Sequence, residues 1–140
     1  MKTAILYYTF GGYSKKIALQ LVAKEENAEV FEVKEQNKRN MLTAIFSGCP
    51  MAAKRKASKI QPVDCQLEQY DKIILLAPIW AGYPAPAFNS MVELLPSGKN
   101  VELYLQSSSG QAPKSKEGNC QLIKDKGCEV VGYHDVKKSK

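Results

Sequence analysis

One histidine, one tryptophan and four cysteines in the whole chain exclude several chemistries at once. Cys49, Cys65, Cys120 and Cys128 form no C-x-x-C pair, and His134 is the only histidine, so metal-ligand spacing is lacking and no metal site is expected. No apolar run approaches the ~20 residues that a membrane-spanning helix needs. The start, MKTAILYYTFGG, has a single lysine and a short apolar run broken by Tyr7, Tyr8 and Thr9, which reads as a buried strand rather than a secretory signal. The cysteines are then expected to be small, mostly buried thiols in a reducing cytoplasm, not two disulfides. G-x-x-x-x-G-K-[ST] and G-x-G-x-x-G are both missing. So are the Cys and Arg of a phosphatase loop and the acidic residues that a phosphorylated receiver domain carries after its first and third strands.

What is there suits one folded domain. The chain has 140 residues, 44% hydrophobic and 24% charged, enough to bury a core without disulfide or metal staples. Its net charge is +6, with one cluster at Lys54, Arg55, Lys56 and Lys59 and another at Lys137, Lys138 and Lys140. Such charge can attract nucleic acid, anionic membranes or an acidic protein. A solvated helix face and a frayed terminus is the plainer reading. We expect a single domain over residues 1–136, followed by a basic tail over 137–140.

Short apolar runs alternate with helical patterns. Residues 4–8 form a nearly continuous apolar run, as in a strand buried on both faces. Ile17, Ala18, Leu21 and Val22 then repeat at helical spacing. Residues 29–34 mix charge with Val30, Phe31 and Val33, which suits an edge strand. Between 37 and 62, a helical pattern at Met41, Leu42, Ala44, Ile45 and Phe46 is expected to be interrupted at Gly48 and Pro50, with a second short helix over 51–59. Residues 72–77 are the most hydrophobic run and predict a central strand stopped by Pro78, with PIWAGYPAP as a loop. Phe88, Met91, Val92 and Leu95 share a helical face, and Val101, Leu103 and Leu105 form the next strand. A helix over about 114–126 should end at Gly127 in a left-handed cap. Residues 129–134 form the last strand.

Strands alternating with helices predict a parallel sheet covered on both faces, with a ligand beyond the carboxyl ends of the strands. Three loops follow strand ends there: TFGGYS, PIWAGYP and SSSGQAP. In TFGGYS, a helix amino terminus, two glycines and the Thr9 and Ser14 hydroxyls suit a phosphate. A plain turn in which Ser14 caps the helix fits the same residues. Trp80 is either a stacking platform for a flat conjugated ring or a side chain packed onto the neighbouring helix.

Together the three loops resemble those of the flavodoxin-like family of FMN proteins. Thr9, Gly12 and Ser14 match the family's phosphate loop, with Gly11 where a threonine is usual; PIWAG followed by PAPAFNSM matches the second loop, and SSSG the third. The resemblance spans nearly the full chain. It implies an α/β three-layer sandwich with a five-stranded parallel sheet of order 2-1-3-4-5. It also implies noncovalently bound FMN and cytoplasmic electron transfer. By that resemblance, Thr9, Phe10, Gly11, Gly12, Tyr13 and Ser14 hold the phosphate. Trp80 stacks on the isoalloxazine, Pro78, Ile79, Ala81 and Gly82 meet its edge, and Ser107, Ser108, Ser109 and Gly110 meet its pyrimidine side. No general acid or base is named, and His134 reads as an exposed residue near a strand end.

Two departures from the family bear on role. Its electron carriers are usually acidic, whereas this chain is basic, and Ser107 to Pro113 contains no aromatic residue to shield the second flavin face. Both point toward an FMN-dependent NAD(P)H or quinone oxidoreductase, or toward a binding module of this fold without flavin. The expected partner is a redox protein or a small-molecule electron donor or acceptor; a membrane is not expected and nucleic acid is disfavoured.

Overall fold

Two-residue alternation along the strands decides which side chains meet which helices. The structure, a computed structural model, describes residues 2–138. β1 (Thr3–Tyr7) leads to α1 (Tyr13–Lys24) and β2 (Ala28–Glu32). A helical excursion follows: α2 (Met41–Thr43), a π-helical turn (Ala44–Gly48) and α3 (Cys49–Ala53). β3 (Lys72–Trp80), β4 (Tyr83–Pro84), α4 (Pro86–Leu94), β5 (Asn100–Ser107), α5 (Pro113–Asp125) and β6 (Glu129–Lys137) complete the chain. The long strands are parallel in the order β2-β1-β3-β5-β6, which is the expected 2-1-3-4-5 once the short antiparallel β4 is set aside.

Ile5, Tyr7, Ile74 and Leu76 face α1 and pack with Ala18, Ile17 and Leu21. The alternate residues Ala4, Leu6, Ile73, Leu75 and Leu103 face α4 and α5, packing with Phe88, Met91 and Ile123. Both sides of β1 and β3 are therefore sealed, each fully buried leucine or isoleucine contributing roughly 1.5–3 kcal/mol. α5 ends as expected: Gly127 has φ +79°, Gly127 N donates to Lys124 O and Cys128 N to Ile123 O.

Several expectations are corrected. Pro78 does not stop its strand. Its carbonyl accepts from Ala85 N, so its ring nitrogen faces the short β4 arm, beyond the end of β1, and the ladder to β5 continues through Gln106. PIWAGYP is accordingly a hairpin, turned at Ala81 (φ +53°) and Gly82 (φ +93°), both left-handed as a two-residue hairpin requires. Gly48 and Pro50 do not break the 41–53 path, since the π turn absorbs the glycine and Pro50 stands in the first turn of α3, where its missing N–H costs little. No helix reaches 59, because Arg55 turns left-handed at φ +54°.

The last strand runs past His134 to Lys137, and Lys138 N donates to Ser107 O, so Lys137 ends the sheet strand and Lys138 is held to β5 by its backbone. Ser139 and Lys140, the remainder of that expected tail, lie outside the described residues. All four cysteines are free, and only Cys128 is fully buried. Cys65 is half-buried, and burial, aided by the Glu29 carboxylate, pushes its thiol up to about 11. No helix among the described residues is long and apolar enough to cross a membrane.

Candidate functional site

β1, β3 and β5 end together at one sheet edge, and the loop after β1 is shaped by two glycines. Gly11 and Gly12 have φ +91° and +92°, and a Cβ built on either meets nothing within 4 Å. Room is therefore not the reason for glycine here; the left-handed backbone is. Gly12 is also the N-cap of α1, and no side chain caps that helix. Ser14 sits inside the first turn, so the reading in which it caps the helix is excluded. The first turn holds no acidic residue, so no carboxylate there opposes its positive dipole end.

Two hydroxyls flank these glycines in an unusual state. Thr9 Oγ1 and Ser14 Oγ are both buried and meet no hydrogen-bonding partner among the described residues. A buried, unpaired hydroxyl costs roughly 1–3 kcal/mol. Two of them at the amino terminus of an uncapped helix form a polar cradle for an anion with acceptor oxygens. Gln106 Oε1, at the end of β5, is a third buried atom without a partner, and nothing in the sequence around it marks it.

Trp80 stands at the end of β3 rather than at a loop tip. Tyr8 and Phe10 meet its indole edge-on, with centroids 6.1 and 5.6 Å away. The Arg39 guanidinium lies over the ring at 5.9 Å from the centroid, within cation–π range. A Cβ added to Gly48 would sit 2.6 Å from Cζ3. The indole is thus half-buried and seated against the π turn, as the packing alternative held, while it joins Phe10 of the first loop to β3.

The third loop closes on itself. Ser107 Oγ accepts from Gly110 N, Ser109 Oγ donates to Gln111 O, and Gly110 (φ +81°) lies against Lys137. Ser108 and Ser109 are exposed. Tyr13 Oη donates to Lys137 O, tying the first loop to the end of β6 beside this turn.

A cavity of about 510 Å³ opens on the β2 side of the first loop, lined by Tyr8, Thr9, Phe10 and Gly11 and by Glu35 and Arg39 opposite them. Trp80 and the third loop do not line it. Sequence reasoning missed the network at its wall. Tyr8 Oη donates to Glu35 Oε1 at 2.6 Å, and Arg39 Nε reaches both Glu35 oxygens at 3.0 Å. Both charged side chains are nearly buried. Burial, followed by the Glu35 bond and charge, raises the Tyr8 hydroxyl far above the ordinary phenol range. The only sequence signal is the four-residue spacing of Glu35 and Arg39, which is indistinguishable from a solvated surface pair.

No protein-family model matches the sequence, and no curated protein matches it. The fold is flavodoxin-like. In backbone the chain is similar to a flavoprotein from Lactobacillus acidophilus NCFM solved in complex with FMN, at 24% identity and TM-score 0.79, over 94% of this chain and 91% of that one. The apo-form of the flavoprotein from the same organism superposes with TM-score 0.74 at 21% identity, over 96% and 92%. An oxidised flavodoxin 1 from Bacillus cereus superposes with TM-score 0.55 at 17% identity, over 100% and 88%.

Proposed function

We propose that the chain binds FMN noncovalently and serves in cytoplasmic electron transfer. The observation that carries this reading is the pair of buried, unpartnered hydroxyls on Thr9 and Ser14, flanking two left-handed glycines at an uncapped helix start. The residues fit a phosphate monoester: two hydroxyl donors, backbone N–H groups from Gly11, Gly12 and Tyr13, and a helix dipole with no carboxylate to oppose it. The left-handed backbone at Gly11 accounts for the glycine that stands where the family has threonine. Support from likeness comes from the flavoprotein solved with FMN.

When bound, FMN would supply the redox chemistry, taking up and releasing electrons singly or in pairs. The protein's part is to bind and orient. Thr9, Ser14 and the glycine backbone fix the phosphate. Trp80, braced by Phe10, Tyr8 and Arg39, offers an aromatic wall at the strand edge, and Ile79, Ala81 and Gly82 present backbone groups beside it. Ser107, Ser108, Ser109 and Gly110 border the opposite side. Arg39, the cation nearest that wall, favours negative charge on a neighbouring ring.

A second reading, an FMN-dependent NAD(P)H or quinone oxidoreductase, is favoured by the third loop, which has no aromatic side chain and leaves Ser108 and Ser109 exposed. Mixing purified protein with FMN and following quenching of flavin fluorescence tests both readings. Saturable quenching is expected, and its absence would remove both in favour of a flavin-free binding module. Steady NAD(P)H oxidation with a quinone by the loaded protein would then select the enzyme over the carrier.

A further inference from the structure

Residues 41–53 form a helical path built inside out. Its inner face carries small residues at four-residue spacing, Ala44, Gly48 and Ala52, all buried. Its outer face carries large apolar ones: Met41 is 64% exposed, Leu42 63%, Ile45 51% and Phe46 76%. A helix of a soluble domain ordinarily turns its bulky apolar residues to the core. The close seat of Gly48 on Trp80 explains the glycine on the inner face; it does not explain the outer residues. Four of the seven large apolar side chains exposed among the described residues lie in this one window, so they form a patch and not a scatter.

The charge around the patch says what it faces. Residues 33–63 hold seven Lys or Arg and one acidic residue, while the rest of the chain carries equal numbers of each sign. The whole excess of +6 therefore belongs to this stretch. Its ends are tied together, with Gln36 N donating to Lys59 O and Gln61 N to Lys34 O. Glu35 is buried with Arg39 on it, and Arg55 turns inward to Asn119 Oδ1 and Ser115 O. Lys34, Lys38, Lys54, Lys56 and Lys59 are exposed and join no ion pair among the described residues.

We propose that this excursion is a membrane-surface anchor: Met41, Leu42, Ile45 and Phe46 enter the headgroup–acyl boundary of a bilayer rich in anionic lipid, and the free lysines meet its phosphates. An apolar crest flanked by unpaired cations is complementary to such a surface. The crest is a convex helix face, and a lipid surface needs no groove to receive it. A second copy of the chain would bring the same lysines against one another. Docking this way sets the sheet edge at Trp80 beside the membrane. The inference departs from the expectation that no membrane takes part, and it does not depend on flavin.

Sedimentation of the full chain with vesicles tests it. Vesicles of phosphatidylcholine with about 30 mol% phosphatidylglycerol should pull the protein down, pure phosphatidylcholine should not, and binding should vanish near ~1 M salt, where screening shortens to about 3 Å. Ile45→Glu with Phe46→Glu, and separately Lys54→Glu with Lys56→Glu, should each weaken anionic-vesicle binding at least ~10-fold with unchanged circular dichroism, since all four side chains are exposed. No binding of the wild type, or binding indifferent to Ile45 and Phe46, would overturn the proposal. So would a dimer in sedimentation velocity that Phe46→Glu dissolves, which would make the crest a self-interface.

Discussion

Gly48 and Trp80 are in contact so close that a single added methyl would stand 2.6 Å from the indole carbon Cζ3. Gly48→Ala must therefore push the π turn off β3 or rotate the indole. Overpacking of this kind costs about 1–3 kcal/mol. Trp80 is the chain's one tryptophan, so its fluorescence reports the event directly. A shifted emission maximum and a lower unfolding midpoint are expected; unchanged emission would place the indole elsewhere.

Removing the unpartnered hydroxyls should move stability and affinity in opposite directions. Thr9→Val and Ser14→Ala each relieve a buried, unpaired group in the ligand-free protein, raising its stability by roughly 1 kcal/mol. Under the proposed function each also removes a donor to a charged phosphate, worth about 1.5–3 kcal/mol, or ~10–100-fold in FMN affinity. Thermal unfolding without FMN and fluorescence titration with it measure the two signs separately. A variant that loses stability without FMN would mean that the hydroxyl is satisfied within the protein.

Placing at position 11 the threonine usual in flavodoxin-like FMN proteins should fail to help. At φ +91° an L side chain is strained by about 1–2 kcal/mol, although space for it is open. Gly11→Thr is expected to lower the melting temperature without tightening FMN. Tighter binding would show that the loop readjusts around the ligand.

Glu35→Gln tests the network beside the cavity. It leaves the Arg39 guanidinium, itself nearly buried, without its counter-charge, and breaking a buried pair costs about 3–5 kcal/mol. Urea unfolding should show a loss of that order. A loss under about 1 kcal/mol would mean that water replaces the carboxylate.

Alkaline pH should destabilise the protein through its tyrosines. Tyr7, Tyr8, Tyr70, Tyr104 and Tyr133 all have raised pKa values, burial being the first cause in each and a carboxylate or its hydrogen bond contributing to the rise; Tyr70 stands at about 12. A raised folded pKa contributes stability that is complete below the unfolded value near 10 and is lost as pH climbs toward the folded values. Unfolding free energy should be insensitive to these groups below pH ~10 and fall above it. Ultraviolet titration should show these five tyrosines ionising late; normal titration of all five would refute their burial.

The sheet was legible because its strands are buried on both faces and its crossovers follow helical periodicity, as at residues 4–8 and at Ile17, Ala18 and Leu21. The loop glycines were legible for the same local reason. Pro78 misled because what decides whether a proline ends a strand is the neighbour its nitrogen faces, and that neighbour, Ala85, follows directly on a hairpin arm only two residues long. Gly48 and Pro50 misled because a π turn and a first-turn proline tolerate both residues. Tyr8, Glu35, Arg39 and Gln106 lie far apart in the chain or look like ordinary surface polarity, and only their shared burial marks them. Trp80 could be read two ways, and the choice rested on a glycine 32 positions away.

A body carrying equal numbers of both signs, joined to one stretch that holds all the surplus, is an electric dipole as well as a cation. In a field it experiences a torque before it experiences contact. On approach to any negatively charged surface, whether lipid, polymer or electrode, the molecule would turn so that the 41–53 crest leads. The sheet edge that carries Trp80 would arrive with it, in one orientation repeated from molecule to molecule.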